Sequence, residues 1–564
     1  MNNNFFRIGL ICLALGAGCK EKAAEQVVAP AAPKPAAQKV LARFHFVGTG
    51  QLAGNTNASQ LRKIWGMPET LRFRDEVLMR LAKAPQAFFP KHGTNAPVDP
   101  SDWLRPLMND LIQAESYGEL REESDGTSFA LALQLKDERA RLWNTNLWQT
   151  AAAWQEVSPV TYINDLLVGW DLHPANQGPS IRFVRAGQWV VIMTGTPQTF
   201  SSLLAKIGAE GRPIAAATNY WFDAEVDSLQ SQRWLAGLPI KSFPSAQVTI
   251  IGKGENLRTN MRLTFAEPIN WKPEPWQVPT NIIQNPANGL TSFAAARGTR
   301  AFLKGLPAIQ KLEWSSPPDQ LFFWSLSPVP FQSYAAAPVA NASNVLHQLA
   351  EHLPAVLGTN LLNPRNGGIA WSTNGRTLVW SGLPFAVPHA DPLVKPEGEY
   401  LVAGLFPPQR STNAPFPAGL LAAATAPTNR CYYQWEITQE RLYKWRSLFS
   451  LYYVAAGMPL PSPNSIGQQW LTAVTTNLGN SVTQVAVTSP REMRVVRDAH
   501  LNLTGMEIVQ LAHWFESAGF PSGGFKFFPY FERVPRKAAL KPATNPLVKP
   551  AQSTPAPPAN KPNL

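Results

Sequence analysis

The arrangement in this chain nearest to a metal site is His347-Gln348-Leu349-Ala350-Glu351-His352. Two histidines and a carboxylate on one helical segment are ligand types that zinc accepts. The spacing defeats the motif. Side chains four residues apart share a helical face, but His347 and His352 are five apart and point about 140° away from each other. The inverted zinc motif needs two residues between the first histidine and the glutamate, and three stand here. His347 and Glu351 do share a face, as a surface pair, so the sequence assigns neither a metal nor a cofactor.

The other chemical candidates are weaker. Glu119, Glu122, Glu123 and Asp125 cluster between Gly118 and Gly126. Paired carboxylates can cleave a glycosidic bond, but four acids in such a stretch read as a solvent-facing loop. His45, His92, His173, His389, His500 and His513 are scattered. The chain contains no Gly-x-Ser-x-Gly, Ser-x-x-Lys, Gly-Lys-Ser/Thr phosphate loop or Cys-x-x-Cys. No catalytic residue is assigned. The 19 tryptophans could stack on sugars, but they spread from Trp65 to Trp514 in apolar contexts such as Phe323-Trp324 and Val379-Trp380. Core packing accounts for most of them.

Chemistry with a clear address sits at the amino end. Arg7, the apolar stretch Ile8 to Leu15, and Gly16-Ala17-Gly18-Cys19 form a positive start, a short hydrophobic core and a small-residue approach to a cysteine. The apolar stretch is too short to span a bilayer as a helix, so it reads as a processing segment. It resembles the lipobox of diacylglyceryl-modified lipoproteins in a loose form, with Leu15 one place earlier than the strict motif wants. The expectation is a signal over 1–18 and lipidation at Cys19. Lys20 next to it, where an aspartate would retain the protein, favours the outer membrane. Cys12 lies within the signal, which leaves Cys431 alone in the mature chain and no internal disulfide. Its setting, Cys431-Tyr432-Tyr433-Gln434-Trp435-Glu436-Ile437, reads as a buried strand with the thiol as a small core group.

The net charge of +12 suggests nucleic acid until it is located. Residues 1–39 carry +3 and residues 536–564 carry +5 with no acid, which leaves +4 for residues 40–535. A basic nucleic-acid face is therefore not expected. Residues 19–39 form a Pro/Ala-rich tether and 535–564 a basic Pro-rich tail, both predicted to be disordered. Between them, a composition that is 45% hydrophobic and 16% charged is that of a large folded body.

That body alternates helix and strand. Trp103, Leu104, Leu107, Met108, Leu111 and Ile112 recur at helical spacing behind Ser101-Asp102, and Pro106 in the first turn favours Asp102 as the cap. Phe129, Leu131, Leu133 and Leu135 alternate like a half-buried strand. Residues 247–265 predict a hairpin with Leu257, Met261, Leu263 and Phe265 on a packed face and Arg258, Asn260, Arg262 and Thr264 on a wet one. Residues 481–499 predict a second hairpin. Residues 441–453 predict a helix whose stripe, Leu442, Trp445, Leu448 or Phe449, and Tyr452, docks on the sheet.

Upstream of the hairpins, Trp221–Val226 matches Tyr432–Ile437, each leading to Arg233-Trp234 or Lys444-Trp445. Ile181–Gly195 also resembles Ile369–Gly382. Matched elements in one order predict an internal duplication, with an additional helix near 465–478 in the second copy. The predicted fold is α+β: two similar mixed helix and antiparallel-sheet halves in tandem, 40–267 and 291–534. A Pro/Asn-rich linker over 268–290 joins them.

Several phrases resemble a group of uncharacterised exported lipoproteins of Verrucomicrobia-type bacteria. They are Phe44-His45-Phe46-Val47-Gly48, Lys63 to Thr70, Arg141 to Leu147, Ser292 to Gly298, and Leu503 to Ile508. The resemblance spans most of 44–516 and implies a full-length family architecture without an activity. The expected function is a lipid-anchored envelope protein with a non-enzymatic binding or structural role. It would act on an envelope protein or polymer through a groove or face between the halves, at the periplasmic face of the outer membrane. The alternative is a hydrolase of wall or glycan polymer using acids such as Glu119 and Glu123.

Overall fold

The computed structural model describes residues 39–52, 56–87, 99–123, 126–154, 160–164, 167–172, 180–194, 200–209, 220–235, 242–269, 271–280, 283, 289–326, 332–357, 368–373, 375–381, 387–396, 398–406, 417–455 and 459–521. Cys19, Asp125, His92, His173 and both tails lie outside these residues.

Among the described residues, twenty strands join in a single antiparallel sheet, covered by helices. In chain order they are β1 Val40–Phe46, β2 Ser116–Glu123, β3 Gly126–Gln134, β4 Val160–Asn164, β5 Leu167–Leu172, β6 Ile181–Ala186 and β7 Trp189–Thr194. There follow β8 Tyr220–Val226, β9 Ser245–Lys253, β10 Asn256–Thr264, β11 Leu290–Arg297, β12 Gln320–Leu326, β13 Ser333–Pro338 and β14 Ile369–Trp371. The last are β15 Leu378–Trp380, β16 His389–Lys395, β17 Gly398–Gly404, β18 Arg430–Ile437, β19 Asn480–Ser489 and β20 Glu492–Ala499. Their pairings run across the sheet as β4-β5-β6-β7-β3-β2-β1-β8-β9-β10-β20-β19-β18-β11-β12-β13-β17-β16-β15-β14.

The predicted hairpins are β9–β10 and β19–β20. Gly254, at φ 57, makes the first turn, a conformation that glycine adopts without a Cβ clash. In β10, Leu257 and Leu263 are buried and Arg262 and Thr264 exposed, as alternation requires. Elsewhere the local reading needs correction. Glu119, Glu122 and Glu123 are not in a loop but in β2 itself, paired with β3. The strand around Phe129 is covered on both faces: Leu133 and Leu135 pack with Leu107, Trp143 and Trp170, while Ala130 and Ala132 lie under the helix Ser201–Ala209. The helix at 101 has Pro100, not Asp102, at its cap position, and Asp99 Oδ1 accepts from Ser101 N at 2.9 Å. Pro106 lies inside that helix, which ends at Met108. A proline there has no N–H for the helical ladder.

The middle of the sheet is held together twice. β10 and β20 pair over eight positions. On one face, helices Ser59–Trp65 and Pro68–Lys83 share an apolar cluster with Thr438–Ala455, Ile466–Thr475 and Gly505–Glu516. Ile64, Phe73, Leu442, Trp470, Leu471 and Ile508 are its buried members. Leu442 and Phe449 of the predicted stripe are therefore docked on neighbouring helices as well as on the sheet. Residues 271–280 are not a loose connector. Trp276 and Val278 pack with Phe322, and Gln320 Nε2 donates to Pro275 O at 2.6 Å. No helix of the described residues is long and apolar enough to cross a membrane.

Candidate binding face across the centre of the sheet

Residues directly opposite one another on paired strands share a face, so the registers define rows across the sheet. One row runs Tyr117, His45, Asp223, Thr249, Asn260, Val496, Gln484, Tyr433, from β2 to β18. The row beside it runs Glu119, Arg43, Glu225, Gln247, Arg262, Arg494, Ala486, Arg430. Both lie on the face opposite the helical cluster. At one end the helix Ser201–Ala209 covers Tyr117, and at the other the helix Ala418–Thr425 packs with Tyr433. The strands between them present a polar surface, on which Gln247, Arg262 and Arg494 are exposed. This is the wet face that β10's alternation foretold. The sequence could not reveal which strand lies next to β10.

Ion pairs organise the floor. Arg258 grips Asp498 with two bonds of 2.7 and 2.6 Å, and Arg262 Nε reaches Glu492 at 2.6 Å. Arg43 pairs with Glu225 at 2.6 Å. Arg494 donates to the amide oxygen of Asn260 at 3.4 Å and shares the charge of Glu492 with Arg262. Arg262 and Arg494 stand directly opposite each other, an arrangement that costs stability when like charges face across strands.

At the β2 end sits the closest thing to catalytic geometry. His45 Nε2 is 2.8 Å from Glu115 Oε1, whose other oxygen accepts from Gln51 at 2.9 Å. The opposite ring nitrogen is 3.7 Å from Asp223 Oδ1, and the Tyr220 hydroxyl donates to the same carboxylate. Tyr117 stacks flat on the imidazole at 4.1 Å, with Lys206 4.6 Å above the Tyr117 ring. Burial pushes the Asp223 carboxyl up, partly opposed by His45 and Lys206. A carboxylate–imidazole–carboxylate relay can move a proton, but Glu115 is buried and the ring is sandwiched, so these contacts chiefly position the strands. His45 stood among the scattered histidines of the sequence; only the register assembles its partners.

The other sequence candidates are dispersed. Glu119 pairs with Arg121, and Glu122 with Arg233 at 3.2 Å. His347 stacks on Trp371 at 4.2 Å, while His352 turns to Glu313 at 3.8 Å. Cys431 is buried, and burial pushes its thiol up to about 11. His513 is held down to about 4 by burial and by nearby Arg446. Two cavities lie away from the polar rows. One of about 430 Å³ opens beside Lys304, Gln310, Glu313 and Trp314, and one of about 30 Å³ lies between Arg446 and His513.

No known protein family matches the chain, and no curated protein does. Among solved structures, crystal form I of TP0453 aligns at 8% identity over 42% of this chain and 77% of that one, with a TM-score of 0.22. Likeness at that level carries no argument about fold or function.

Proposed function

We propose that the chain is a cell-envelope protein, lipid-anchored at Cys19, with a non-enzymatic binding or structural role exerted through the open polar face at the centre of the sheet. The observation that carries this is the pair of side-chain rows, which offer hydrogen-bonding and charged groups on the strands between the two covering helices. Ligand pockets for small molecules are concave and mostly apolar; an open polar surface suits an extended partner, an envelope polymer or protein. The proposed location is the periplasmic face of the outer membrane, and the proposed family is the exported lipoprotein group whose phrases the sequence resembles.

The proposed organisation is a signal over 1–18, a tether over 19–39, halves over 40–267 and 291–534 with 268–290 between, and a tail over 535–564. The pairing order supports two copies of one architecture. Outward from the centre, β10-β9-β8-β1-β2-β3-β7-β6-β5-β4 is answered strand for strand by β20-β19-β18-β11-β12-β13-β17-β16-β15-β14. In this correspondence β6–β7 answers β16–β17, so Ile369–Gly382 is the counterpart of β4–β5 instead. The helix Ile466–Thr475 supplies the additional element of the second copy.

Two experiments test the reading. Replacing Cys19 with Ser should move the protein from the membrane fraction to the soluble one; full retention in membranes would place the anchor elsewhere. The soluble variant should then co-sediment with purified cell-wall sacculi or bind envelope extract. Gln247→Trp, a bulky change at an exposed point of the face, should weaken retention about tenfold, the equivalent of about 1.4 kcal/mol. Retention unchanged by that block would remove the face from the function. Soluble fragments released from the sacculi would favour the hydrolase.

A further inference from the structure

We propose that Arg430 and Arg494, on either side of Ala486, form a cradle for carboxylate groups of an acidic peptide segment in the partner. This rests on the reading of the central face as the binding surface. Arg430 on β18 and Arg494 on β20 are both direct register partners of Ala486 on β19, which sets their Cα atoms about 10 Å apart. The alanine between them is part-exposed and sets only a methyl group between the two guanidiniums. Each guanidinium is braced by a side-chain amide oxygen: Arg430 by Gln484 at 2.8 Å, Arg494 by Asn260 at 3.4 Å. The bracing consumes the amide oxygens and leaves N–H groups, which can only donate.

Charge points the same way. Among the described residues Arg258, Arg262 and Arg43 each have a carboxylate within salt-bridge distance, whereas neither Arg430 nor Arg494 forms an ion pair. Arg430 is partly withdrawn from water over the Tyr433 ring, 5.5 Å from its centre, and burial lowers its proton affinity. A desolvated cation without a counterion is costly. Arg494 faces Arg262 across the β10–β20 pair, with Glu492 already engaged by Arg262. The Arg430–Gln484 unit thus carries an uncompensated positive charge, and Arg262 and Arg494 share the single carboxylate of Glu492, so each side of the cradle lacks one negative charge, which one carboxylate supplies through the planar fork.

The test is calorimetric titration of the Cys19→Ser protein with poly-L-glutamate at low and at physiological salt. Binding should weaken as salt rises. R430Q and R494Q should each lower affinity about tenfold, and R430K, which keeps charge but loses the fork, should lose less. R105Q, on the helix Ser101–Met108 away from the polar rows and already paired with Asp75 at 3.1 Å, should change affinity less than twofold. Unchanged affinity in R430Q and R494Q, with melting temperatures preserved, overturns the proposal. So does polyphosphate that binds more tightly and responds to the same variants. If sacculi still retain the R430Q/R494Q double variant, the open face stands and the cradle falls; if even the unsubstituted protein is never retained, the reading of the face falls first.

Discussion

Replacing Arg497 with Met should destabilise the folded protein by about 3–5 kcal/mol at neutral pH, and the loss should shrink on acidification. Arg497 lies on β20 with its side chain 8% exposed. Its Nε donates to Thr483 Oγ1 at 2.8 Å and its Nη1 to Glu507 Oε2 at 2.9 Å. Glu507 in turn accepts from Thr504 N at 2.9 Å, completing the capping box of the helix Gly505–Glu516, while Glu436 Oε1 accepts from Gly505 N at 2.7 Å. One guanidinium therefore serves the carboxylate that caps this helix, and removing it leaves Glu507 uncompensated, while Glu436 keeps Gly505 N and the charge of Arg441.

Burial pushes the Glu507 carboxyl up, and Arg497 is the main opposing influence. A carboxyl whose folded-state pKa is raised contributes stability that is fully present below its unfolded value and is lost as pH rises through the folded one. In the Met variant only the hydrogen bonds from Thr504 oppose the rise, so the loss with pH should be steeper than in the unsubstituted protein. Urea unfolding at pH 4.5 and 7 measures both quantities. A loss below about 1 kcal/mol, or one equal at the two pH values, would show that the pair is not what fixes this helix to the sheet. Glu507→Gln should cost less and flatten the pH dependence, because the amide keeps a hydrogen-bonding group without the charge.

What the sequence made legible follows from the range of the forces involved. The β9–β10 hairpin could be read because Gly254 and strict alternation are local, and the faces of Leu257, Leu263, Arg258 and Arg262 came with it. The aromatic strands Trp221–Val226 and Tyr432–Ile437 match in sequence on a glutamate at the same step, but the registers set that match off by one: Glu225 stands opposite Arg43 on the polar face, whereas Glu436 turns to the helical side and accepts from Gly505 N. The acids of β2 were misplaced because charge density resembles a loop until Arg121 and Arg233 are known to lie beside Glu119 and Glu122. The polar face proposed for binding is foreseen in the sequence only as a place between two expected halves. Its rows depend on which strand lies next to which, and Arg494 and Asn260 are 234 residues apart. No local pattern encodes that pairing; the sum of many weak side-chain preferences does. His45 illustrates the same limit, since Glu115, just before β2, and Asp223 on β8 approach it from far along the chain.

Trp470→Ala should cost about 3–5 kcal/mol and should also change how the protein melts. Trp470 is 7% exposed, stacks on Phe73 at 4.9 Å and donates from Nε1 to Thr70 Oγ1 at 3.1 Å. Phe73 and Thr70 belong to the helix Pro68–Lys83, some 400 positions away. With Gln60 bonded to Asn477 O at 2.7 Å and Arg80 to Glu516 O at 2.8 Å, this contact ties early helices to late ones. The only other broad tie across the centre, among the described residues, is the β10–β20 ladder, eight positions long. Calorimetry of the unsubstituted protein should therefore show one cooperative transition. Opening a cavity at Trp470 weakens one tie selectively, so the variant's transition should broaden or divide as the two sides of the sheet unfold at different temperatures. Thr70→Val alone should cost about 1 kcal/mol by stranding the buried indole donor, yet almost nothing in the Trp470→Ala background, where that donor is gone. Full additivity of the two substitutions, or a single unbroadened transition in Trp470→Ala, would mean that the strand ladder alone couples the two sides.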